Sequence, residues 1–325
     1  MSSFSILVPF VPRRPEQLAT YAALVHWTRA ARLWQGQSLT VESHQGFAHA
    51  AGTGFGVPTG LGVSLMPLRH PYEAAMQARS LALSTGHPVL AGFGPGRPSL
   101  QRAMRGAPYA SPLTAAEEYL TVVRGLLQGR LLDFRGEYYH CQGGLPPSPA
   151  PAVQVGLGVL RPGMARLAGR VADAAITWLT PASYLRETVI PALREGAEAA
   201  GRPLPRVVAM VPMALPLPGQ DVEEVAVAGN GPHMEAPHYA DMLKRAGIDV
   251  SSGDPLVNAR SLIEGGSFLV GEADQLVEQI RTFWNSGVDE VVINVTGVAK
   301  LCGPQAAVRQ IKTIVTALSG TEETR

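Results

Sequence analysis

The sequence carries little charge and almost no cysteine. Only 16% of its 325 residues are charged, whereas globular proteins average about 25%. The 27 Lys and Arg residues nearly balance the 26 Asp and Glu residues, which gives a formal net charge of +1. Because nucleic acids and anionic membranes are usually bound through an excess of positive charge, we expect neither as a partner. The two cysteines, Cys141 and Cys302, are too few for a disulfide scaffold.

Long apolar segments are also missing. No run of about 20 apolar residues occurs in the sequence, so no membrane-spanning helix is predicted. The first residues lack the basic stretch and following apolar stretch of a signal peptide. We therefore expect a cytoplasmic protein.

Several motifs that identify enzyme classes are absent. The sequence has no GxGxxG after its first strand, no GxxxxGK[ST], no HExxH and no GxSxG. His44 and His49 are five residues apart, and so are His233 and His238. Neither pair has the i, i+4 spacing that places two imidazoles on one face of a helix. No metal site is predicted.

The sequence does show a regular alternation of strand and helix patterns. Short apolar runs, typical of buried parallel strands, are separated by segments with helical periodicity. Eight such runs occur, at 6–10, 32–35, 61–66, 89–93, 152–157, 174–178, 207–215 and 291–295. Eight strands, each followed by a helix-length segment, predict an α/β protein with a (β/α)8 TIM barrel. A doubly wound open sheet is the alternative, although it normally has fewer strands.

The predicted barrel is a single domain over residues 1–320. Two segments, 131–151 and 216–267, are too long for ordinary connections. We interpret both as insertions at the C-terminal face of the barrel, where substrates are usually selected. Residues 321–325 are predicted to form a flexible tail.

Glycines follow the fourth and fifth predicted strands. Gly94 lies in LAGFGPGRP, and Gly158 lies in VGLGVLRPGM, just before a helix that starts near Pro162. A glycine turn that leads into a helix presents backbone N–H groups and a positive dipole to a phosphate. The same glycines also suit tight turns between strand and helix, and spacing alone does not separate the two interpretations.

Three blocks of the sequence resemble the luciferase-like monooxygenase superfamily. The first is GLGVSLMPLRHPYEAAMQARSLALSTGHPVLAGFGPG (60–96), although His87 replaces the family's usual basic residue. The second is MARLAGRVADAAITWLTP (164–181), and the third is GSFLVGEADQLVEQIRTFWNSGVDEVVINV (266–295). They occur in the family's order, and the resemblance covers about residues 4–318.

This resemblance implies a TIM barrel that uses reduced FMN or the deazaflavin coenzyme F420. In the family, the ring binds at the C-terminal mouth against a bulge in the third strand, which often has a non-prolyl cis peptide. That bulge corresponds to Ser64–Leu65, and the phosphate site to the loop from Gly158 to Arg161. The implied cofactor contacts are Gln37, Ser64, Leu65, Gly94, Gly158, Val159, Leu160, Arg161, Thr177 and Thr180. Arg161 replaces a glycine of many relatives, so it either pairs with the phosphate or only covers the loop.

The sequence departs from the family pattern at two positions near the ring. Many relatives end the second strand with an acid or Asn followed by His, where this chain has Gly36, Gln37 and Ser38. Some deazaflavin-dependent dehydrogenases have a glutamate where this chain has Arg97. Oxidation of a sugar or alcohol by that His/Glu pair is therefore not expected.

A reduction remains compatible with these losses, because the cofactor supplies the hydride and the protein needs only one proton donor. Our catalytic candidates are His44 and Tyr138, and our substrate-binding candidates are Trp34, His49 and Arg97. The full set of possible donors near the mouth comprises His44, His49, Tyr72, Tyr138, Tyr139 and His140.

We therefore predict an F420H2-dependent reductase that transfers hydride to an activated C=C or C=N bond in natural-product biosynthesis. Its substrate would be a small molecule or a peptide, with a dehydroamino acid of a modified peptide as one candidate. An FMN-dependent monooxygenase that uses O2 and a non-catalytic flavin-binding barrel are the alternatives. By family resemblance and symmetry preference we also expect a homodimer.

Overall fold

The computed structural model describes residues 2–320, which fold around a closed parallel β-barrel. Eleven strands occur in this range: β1 (Ser3–Leu7), β2 (Leu33–Gln35), β3 (Thr59–Leu65), β4 (Val89–Gly94), β5 (Leu132–Arg135), β6 (His140–Gly143), β7 (Val153–Gly158), β8 (Ala174–Trp178), β9 (Arg206–Ala214), β10 (Leu269–Val270) and β11 (Glu290–Asn294). Eight of them form the barrel in the order β1, β2, β3, β4, β7, β8, β9, β11, and β11 pairs with β1 to close it. This confirms the predicted (β/α)8 barrel and its eight strands. The tail predicted at 321–325 lies outside the described residues.

Helices surround the barrel. They are α1 (Ala19–His26), α2 (Ser43–Gly52), α3 (Pro71–Thr85), α4 (Pro98–Arg105), α5 (Pro112–Leu127), α6 (Pro162–Val171), α7 (Ala182–Tyr184), α8 (Ile190–Ala199), α9 (Val222–Met234), α10 (Pro237–Arg245), α11 (Pro255–Glu264), α12 (Ala273–Asn285) and α13 (Thr296–Gly320), with a kink at Gly303 in α13. Across residues 2–320, none of the helices combines the length and the apolar character needed to cross a bilayer.

The helix α3 shows how local sequence sets an element. The ring of His70 accepts a hydrogen bond from the Tyr72 N–H (3.2 Å), and Pro71 occupies the first helical position. Both features favour a helix start at this point. The helix ends at Gly86, whose φ of +70° suits glycine.

Apolar side chains fill the interior of the barrel. They form a cluster that is separate from the larger core between the sheet and the helices, and its members are Leu7, Trp34, Leu90, Ala174, Ile176, Val208, Met210 and Val292. Trp34 is the largest of them and is fully buried. Its ring occupies the space opposite Gly60, where an added Cβ would come within 2.3 Å of the ring. The glycine is required there because the barrel has no room for two side chains.

A buried carboxylate closes the amino-terminal end of this interior. Glu290 is fully buried, and its Oε1 accepts hydrogen bonds from Ser5 Oγ and from Trp34 Nε1, both at 2.7 Å. The same oxygen forms an ion pair with Arg32 Nε at 3.0 Å, and Oε2 lies 3.5 Å from Arg206 Nη2. The carboxylate of Glu290 on β11 thus links its own strand to β1, β2 and β9.

The segment 131–151 contains the β5–β6 hairpin. It follows α5, so it leaves and re-enters the barrel on the amino-terminal side. The Glu118 carboxylate of α5 accepts N–H hydrogen bonds from Glu137, Tyr138 and Tyr139 at the hairpin turn. The hairpin therefore lies against the outer helices and does not cover the C-terminal face as we predicted. Its turn reaches the start of α5, and the His140 carbonyl at the start of β6 lies 3.0 Å from His70 Nε2 before α3.

The segment 216–267 follows the carboxyl end of β9 and contains α9, α10 and α11. The short strand β10, which comes next, pairs with the last two residues of β9. This segment therefore starts at the C-terminal mouth of the barrel, and α9 and α10 contact the mouth as described below.

We expect Glu290→Ala to lower the free energy of unfolding by about 3–5 kcal/mol, because it leaves Arg32 buried without its partner. The matched control is Glu195→Ala. It breaks an ion pair with Arg166 whose side chains are 62% and 45% exposed, so the loss should be at most about 1 kcal/mol. Urea unfolding measures both variants, and equal losses would contradict the proposed importance of the buried network.

Candidate active site at the carboxyl end of the barrel

A bulge in β3 shapes the floor of the mouth. Leu61 pairs with Ala91 and Ser64 pairs with Phe93, so three steps along β3 match two along β4. The Gly62–Val63 peptide in this bulge is cis. Our prediction of a cis peptide at Ser64–Leu65 is therefore wrong by two residues.

The bulge turns two consecutive residues toward the barrel axis. An added Cβ on Gly62 would meet Met210 of the interior, and Val63 packs against the same interior cluster. Ser64, by contrast, is buried in register with Phe93, which belongs to the outer core. Paired residues of neighbouring strands point to the same side, so Ser64 faces the helices and does not meet a ligand in the mouth. Val63 takes the place that we predicted for Ser64.

Val63 and Trp178 together form the floor of the mouth. Both are partly exposed and both pack on the carboxyl end of the interior cluster. The strands beside Val63 present only glycine: a Cβ on Gly94 would lie 2.9 Å from its side chain, and one on Gly158 would lie 3.5 Å away. An apolar platform flanked by strands without side chains fits a planar ring system such as that of a flavin or deazaflavin.

Gln37 joins the end of β2 to the bulge. Its Oε1 accepts a hydrogen bond from the Leu65 N–H at 3.2 Å and lies 3.5 Å from Arg69 Nη2. Next to it, Gly36 approaches the Gly62 carbonyl so closely that an added Cβ would lie 3.4 Å from the oxygen. The structure thus brings the predicted residues Gln37 and Leu65 together at the mouth.

An ionisable cluster follows β2 directly. Glu42 caps α2 by accepting the His44 N–H at 2.8 Å, and its Oε1 lies 2.9 Å from His44 Nδ1 and 3.5 Å from Arg69 Nη2. Burial acts to raise the pKa of Glu42, but the hydrogen bond from His44 and the charges of His44 and Arg69 outweigh it and lower the pKa to about 2. Glu42 is therefore a carboxylate at neutral pH.

The loop after β7 leads into α6 as the sequence suggested. Arg161 is the N-cap residue of α6 and makes no side-chain cap, and Pro162 opens the helix. The first N–H groups of α6 thus have no side-chain cap and suit a phosphate. Arg161 is 53% exposed and pairs with Asp241 of α10 at 3.3 Å, so a phosphate would compete with Asp241 for it.

Other residues of this predicted phosphate site are buried and form hydrogen bonds within the protein. Val159 is buried, and its N–H donates to the Ile176 carbonyl at 2.8 Å. Thr177 is buried between Ile176 and Trp178, which face the interior, so Thr177 faces outward, and its hydroxyl lies 3.4 Å from the Val208 carbonyl. Our prediction that Val159 and Thr177 contact the cofactor is therefore wrong. Thr180 is also buried, with its hydroxyl donating to the Trp178 carbonyl at 3.1 Å.

The helices α9 and α10 bring aromatic groups to one side of the mouth. His233 stacks on Trp178 with ring centroids 5.1 Å apart, and Tyr239 meets His233 edge-on at 5.0 Å. Burial, with a smaller effect of the Lys300 and His238 charges, lowers the pKa of His233 to about 4. This ring is therefore uncharged at neutral pH. His233 Nδ1 and Trp178 Nε1 are buried and have no hydrogen-bond partner among residues 2–320.

Arg97 lies at the start of α4 and is exposed. Burial, then the charges of Arg161 and Arg97, lower the pKa of His238 on α10. The structure thus brings Arg97, Arg161 and α10 together beside the loop that leads into α6. This places a predicted substrate-binding residue near the rim, at the predicted phosphate end.

Three predicted residues lie elsewhere. Trp34 is fully buried inside the barrel and donates to Glu290, so it cannot stack on a ligand. His49 is exposed in the last turn of α2, one turn beyond the buried His44. The Tyr138 hydroxyl accepts the Ser111 N–H at 2.9 Å on the outer helix layer. The buried position of Trp34 contradicts its predicted substrate-binding role, whereas the substrate-binding role of His49 and the catalytic role of Tyr138 stay predictions.

Sequence reasoning missed Val63, Trp178, Glu42 and His233. Trp178 carried a usable signal, because it is the last residue of a barrel strand. Glu42 carried another, since an acid two residues before His44 suits a helix cap that also reaches the ring. Val63 and His233 depend on a bulge and on the packing of a long segment, and neither feature has a sequence signature of its own.

The chain is similar in sequence to known oxidoreductases. An F420-dependent glucose-6-phosphate dehydrogenase from Nakamurella multipartita is 29% identical over 196 residues. The match covers 56% of this chain and 54% of the dehydrogenase, so the chain spans about half the length of this relative.

Solved structures share the fold over almost the whole chain. The coenzyme F420-dependent tetrahydromethanopterin reductase from Methanopyrus kandleri has a TM-score of 0.75 and 20% identity and covers 97% of both chains. A type II Baeyer–Villiger monooxygenase from Pseudomonas putida, solved with FMN, has a TM-score of 0.69 and 14% identity over 98% of both chains. The family model of the luciferase-like monooxygenases matches residues 8–290. Because this match covers most of the sequence, the chain belongs to the luciferase-like monooxygenase family.

Proposed function

We propose that this protein is an oxidoreductase that uses reduced F420 to reduce an activated C=C or C=N bond. The observation that carries the proposal is the floor made by Val63 and Trp178, with glycine strands beside it and the open start of α6 at one end. This arrangement suits a planar ring joined to a phosphate. The F420-dependent relatives named above favour the deazaflavin over FMN.

Reduced F420, when bound, supplies a hydride, and the protein supplies position and environment. Val63 and Trp178 would support the ring and exclude water from one side. The first N–H groups of α6 and the side chain of Arg161 would hold the phosphate. His233, uncharged at neutral pH, keeps that side of the mouth free of positive charge.

The residues at the end of β2 support reduction as the direction of the reaction. Gln37 occupies the place of an ionisable residue and is engaged by the Leu65 N–H, so it cannot accept a proton from a sugar or an alcohol. A double bond that is already polarised needs no such base. We propose a role in natural-product biosynthesis on this basis, with a dehydroamino acid of a modified peptide as one candidate substrate.

A second candidate is an FMN-dependent monooxygenase that uses O2. The observation in its favour is the shared fold with the FMN-bound monooxygenase. The same floor would support the FMN ring, because the tricyclic parts of the two cofactors have similar shapes. A third candidate, a barrel that binds a flavin without catalysis, requires the same floor and no proton donor.

Titration of the purified protein tests the choice of cofactor. We expect saturable quenching of F420 fluorescence, with FMN bound at least about tenfold more weakly, a difference of about 1.4 kcal/mol. Unfolded protein is the control. Tight FMN binding without F420 binding, with O2 consumption in the presence of reduced FMN, would favour the monooxygenase. Binding of reduced F420 without its oxidation by any electron-poor alkene would favour the non-catalytic barrel.

Substitution of Gly158 tests the position of the site. We expect Gly158→Asp to weaken F420 binding at least about tenfold, because its carboxylate repels the phosphate and the ring loses space. Gly158→Ala is the matched control, since the added Cβ meets its nearest neighbour at an ordinary 3.5 Å, and it should change the affinity much less. Unchanged F420 affinity in Gly158→Asp would place the cofactor elsewhere.

A further inference from the structure

We propose that Glu42 and Arg69 are positioning residues for His44, and that His44 supplies the proton of the reaction. This inference rests on the proposed reductase function and names the group that replaces the missing acid–base pair of β2. In this proposal His44 and Glu42, at the start of α2, take over the role of that missing pair.

The first turn of α2 is fixed to the mouth. Ser43 Oγ donates to the Gly36 carbonyl at 3.0 Å, and Gly36 lies against the Gly62 carbonyl of the bulge. His44 follows Ser43 directly, and its side chain is only 10% exposed. The start of α2, and His44 with it, is therefore held close to the rim between β2 and β3.

The contact with Glu42 determines which ring nitrogen is available. Glu42 Oε1 lies 2.9 Å from His44 Nδ1, while Glu42 Oε2 accepts the His44 N–H at 2.8 Å. An ionised carboxylate can only accept a hydrogen bond, so His44 Nδ1 carries the hydrogen and donates it to Glu42 Oε1. Nε2 bonds to no residue in the described part of the chain and is the atom left for the substrate.

Arg69 holds the carboxylate in place. Its side chain is only 7% exposed, and its Nη2 lies 3.5 Å from both Glu42 Oε1 and Gln37 Oε1. The Arg69 carbonyl accepts the Tyr119 hydroxyl at 3.3 Å, which fixes the backbone at this point. A guanidinium buried beside Glu42 keeps that carboxylate ionised, consistent with its pKa of about 2.

This arrangement can deliver a proton. An ionised carboxylate behind an imidazole orients the ring and stabilises the positive charge that the ring carries while it holds a second proton. Reduced F420, when bound, would supply a hydride, and with it both electrons, to one atom of the substrate double bond. As the π bond breaks, His44 Nε2 would give its proton to the other atom, and the ring would regain a proton from water.

Nuclear magnetic resonance of the cofactor-free protein tests the contact. With ¹⁵N-labelled histidine we expect a downfield imidazole N–H proton resonance that disappears in both His44→Gln and Glu42→Gln and persists in Glu42→Asp. The control is Asp254→Asn, which also converts an acidic helix cap to an amide, at the start of α11 and outside this cluster. It should keep the resonance. A resonance that is absent in the wild type, or survives Glu42→Gln, overturns the proposed pair.

Turnover with menadione, a quinone that accepts a hydride and a proton, tests the role of the pair. We expect Glu42→Gln to lower kcat on the order of 10²-fold, with the KM for menadione and the affinity for F420 nearly unchanged, and Glu42→Asp to restore most of kcat. Asp254→Asn should behave as the wild type. An equal loss of F420 affinity and kcat in Glu42→Gln, or an unchanged kcat, would show that the cluster is only structural.

The two proposals fail in different ways. If the protein binds no F420 but the resonance depends on Glu42 and His44, the reductase function is wrong and the pair stands. If F420 binds and the resonance does not depend on Glu42, the reductase function stands and the pair is wrong.

Discussion

The limited space inside a closed eight-stranded barrel governs the rest of this structure. Trp34 occupies the middle of that space, and its Nε1 is satisfied by the carboxylate of Glu290. Neighbouring strands must then carry glycine, since a Cβ on Gly60 would lie 2.3 Å from the ring. With its lower part filled, the barrel can accept further side chains only at its carboxyl end, where the bulge of β3 places Val63. The floor of the mouth is thus a consequence of how the interior is packed.

The mouth inherits its chemistry from this packing. Val63 and Trp178 are the upper surface of an apolar cluster, so they present a dry, uncharged face. Glycine at positions 94 and 158 leaves the space above Val63 open, because a larger residue at either position would collide with the Val63 side chain or cover it. Charge is confined to the edges, with Glu42 and Arg69 beside β2 and β3 and Arg161 at the start of α6. An apolar mouth with charged side chains only at its edges favours chemistry in which a cofactor provides the reactive group.

The sequence was sufficient for the barrel and insufficient for the details of its mouth. Each barrel strand is apolar on both faces, so its position can be predicted without knowledge of its neighbours. Side-chain direction cannot be predicted in the same way, because one extra residue in the bulge exchanges the two faces of a strand. For this reason the sequence predicted Ser64 at the mouth, where the structure has Val63. The position of Trp34 was predicted wrongly for a related reason: a tryptophan in a strand of three residues fits the mouth or the core, and the glycine at position 60 makes room for it in the core.

The position of the acid–base group follows from the same constraint. A side chain at the end of β2 must share the mouth with the bulge of β3, and here Gln37 is committed to the Leu65 N–H. An amide serves this purpose better than a carboxylate, because it stays neutral next to the apolar floor and still accepts the hydrogen bond. The ionised group is then displaced to Glu42, where helix N–H groups and Arg69 compensate its charge. The strand ends hold the apolar platform that we propose for the cofactor, and the helix start holds the charge. Under our proposal, this separation of the two tasks lets the chain lack the family's strand-end pair and still have a histidine with a carboxylate partner at the start of α2.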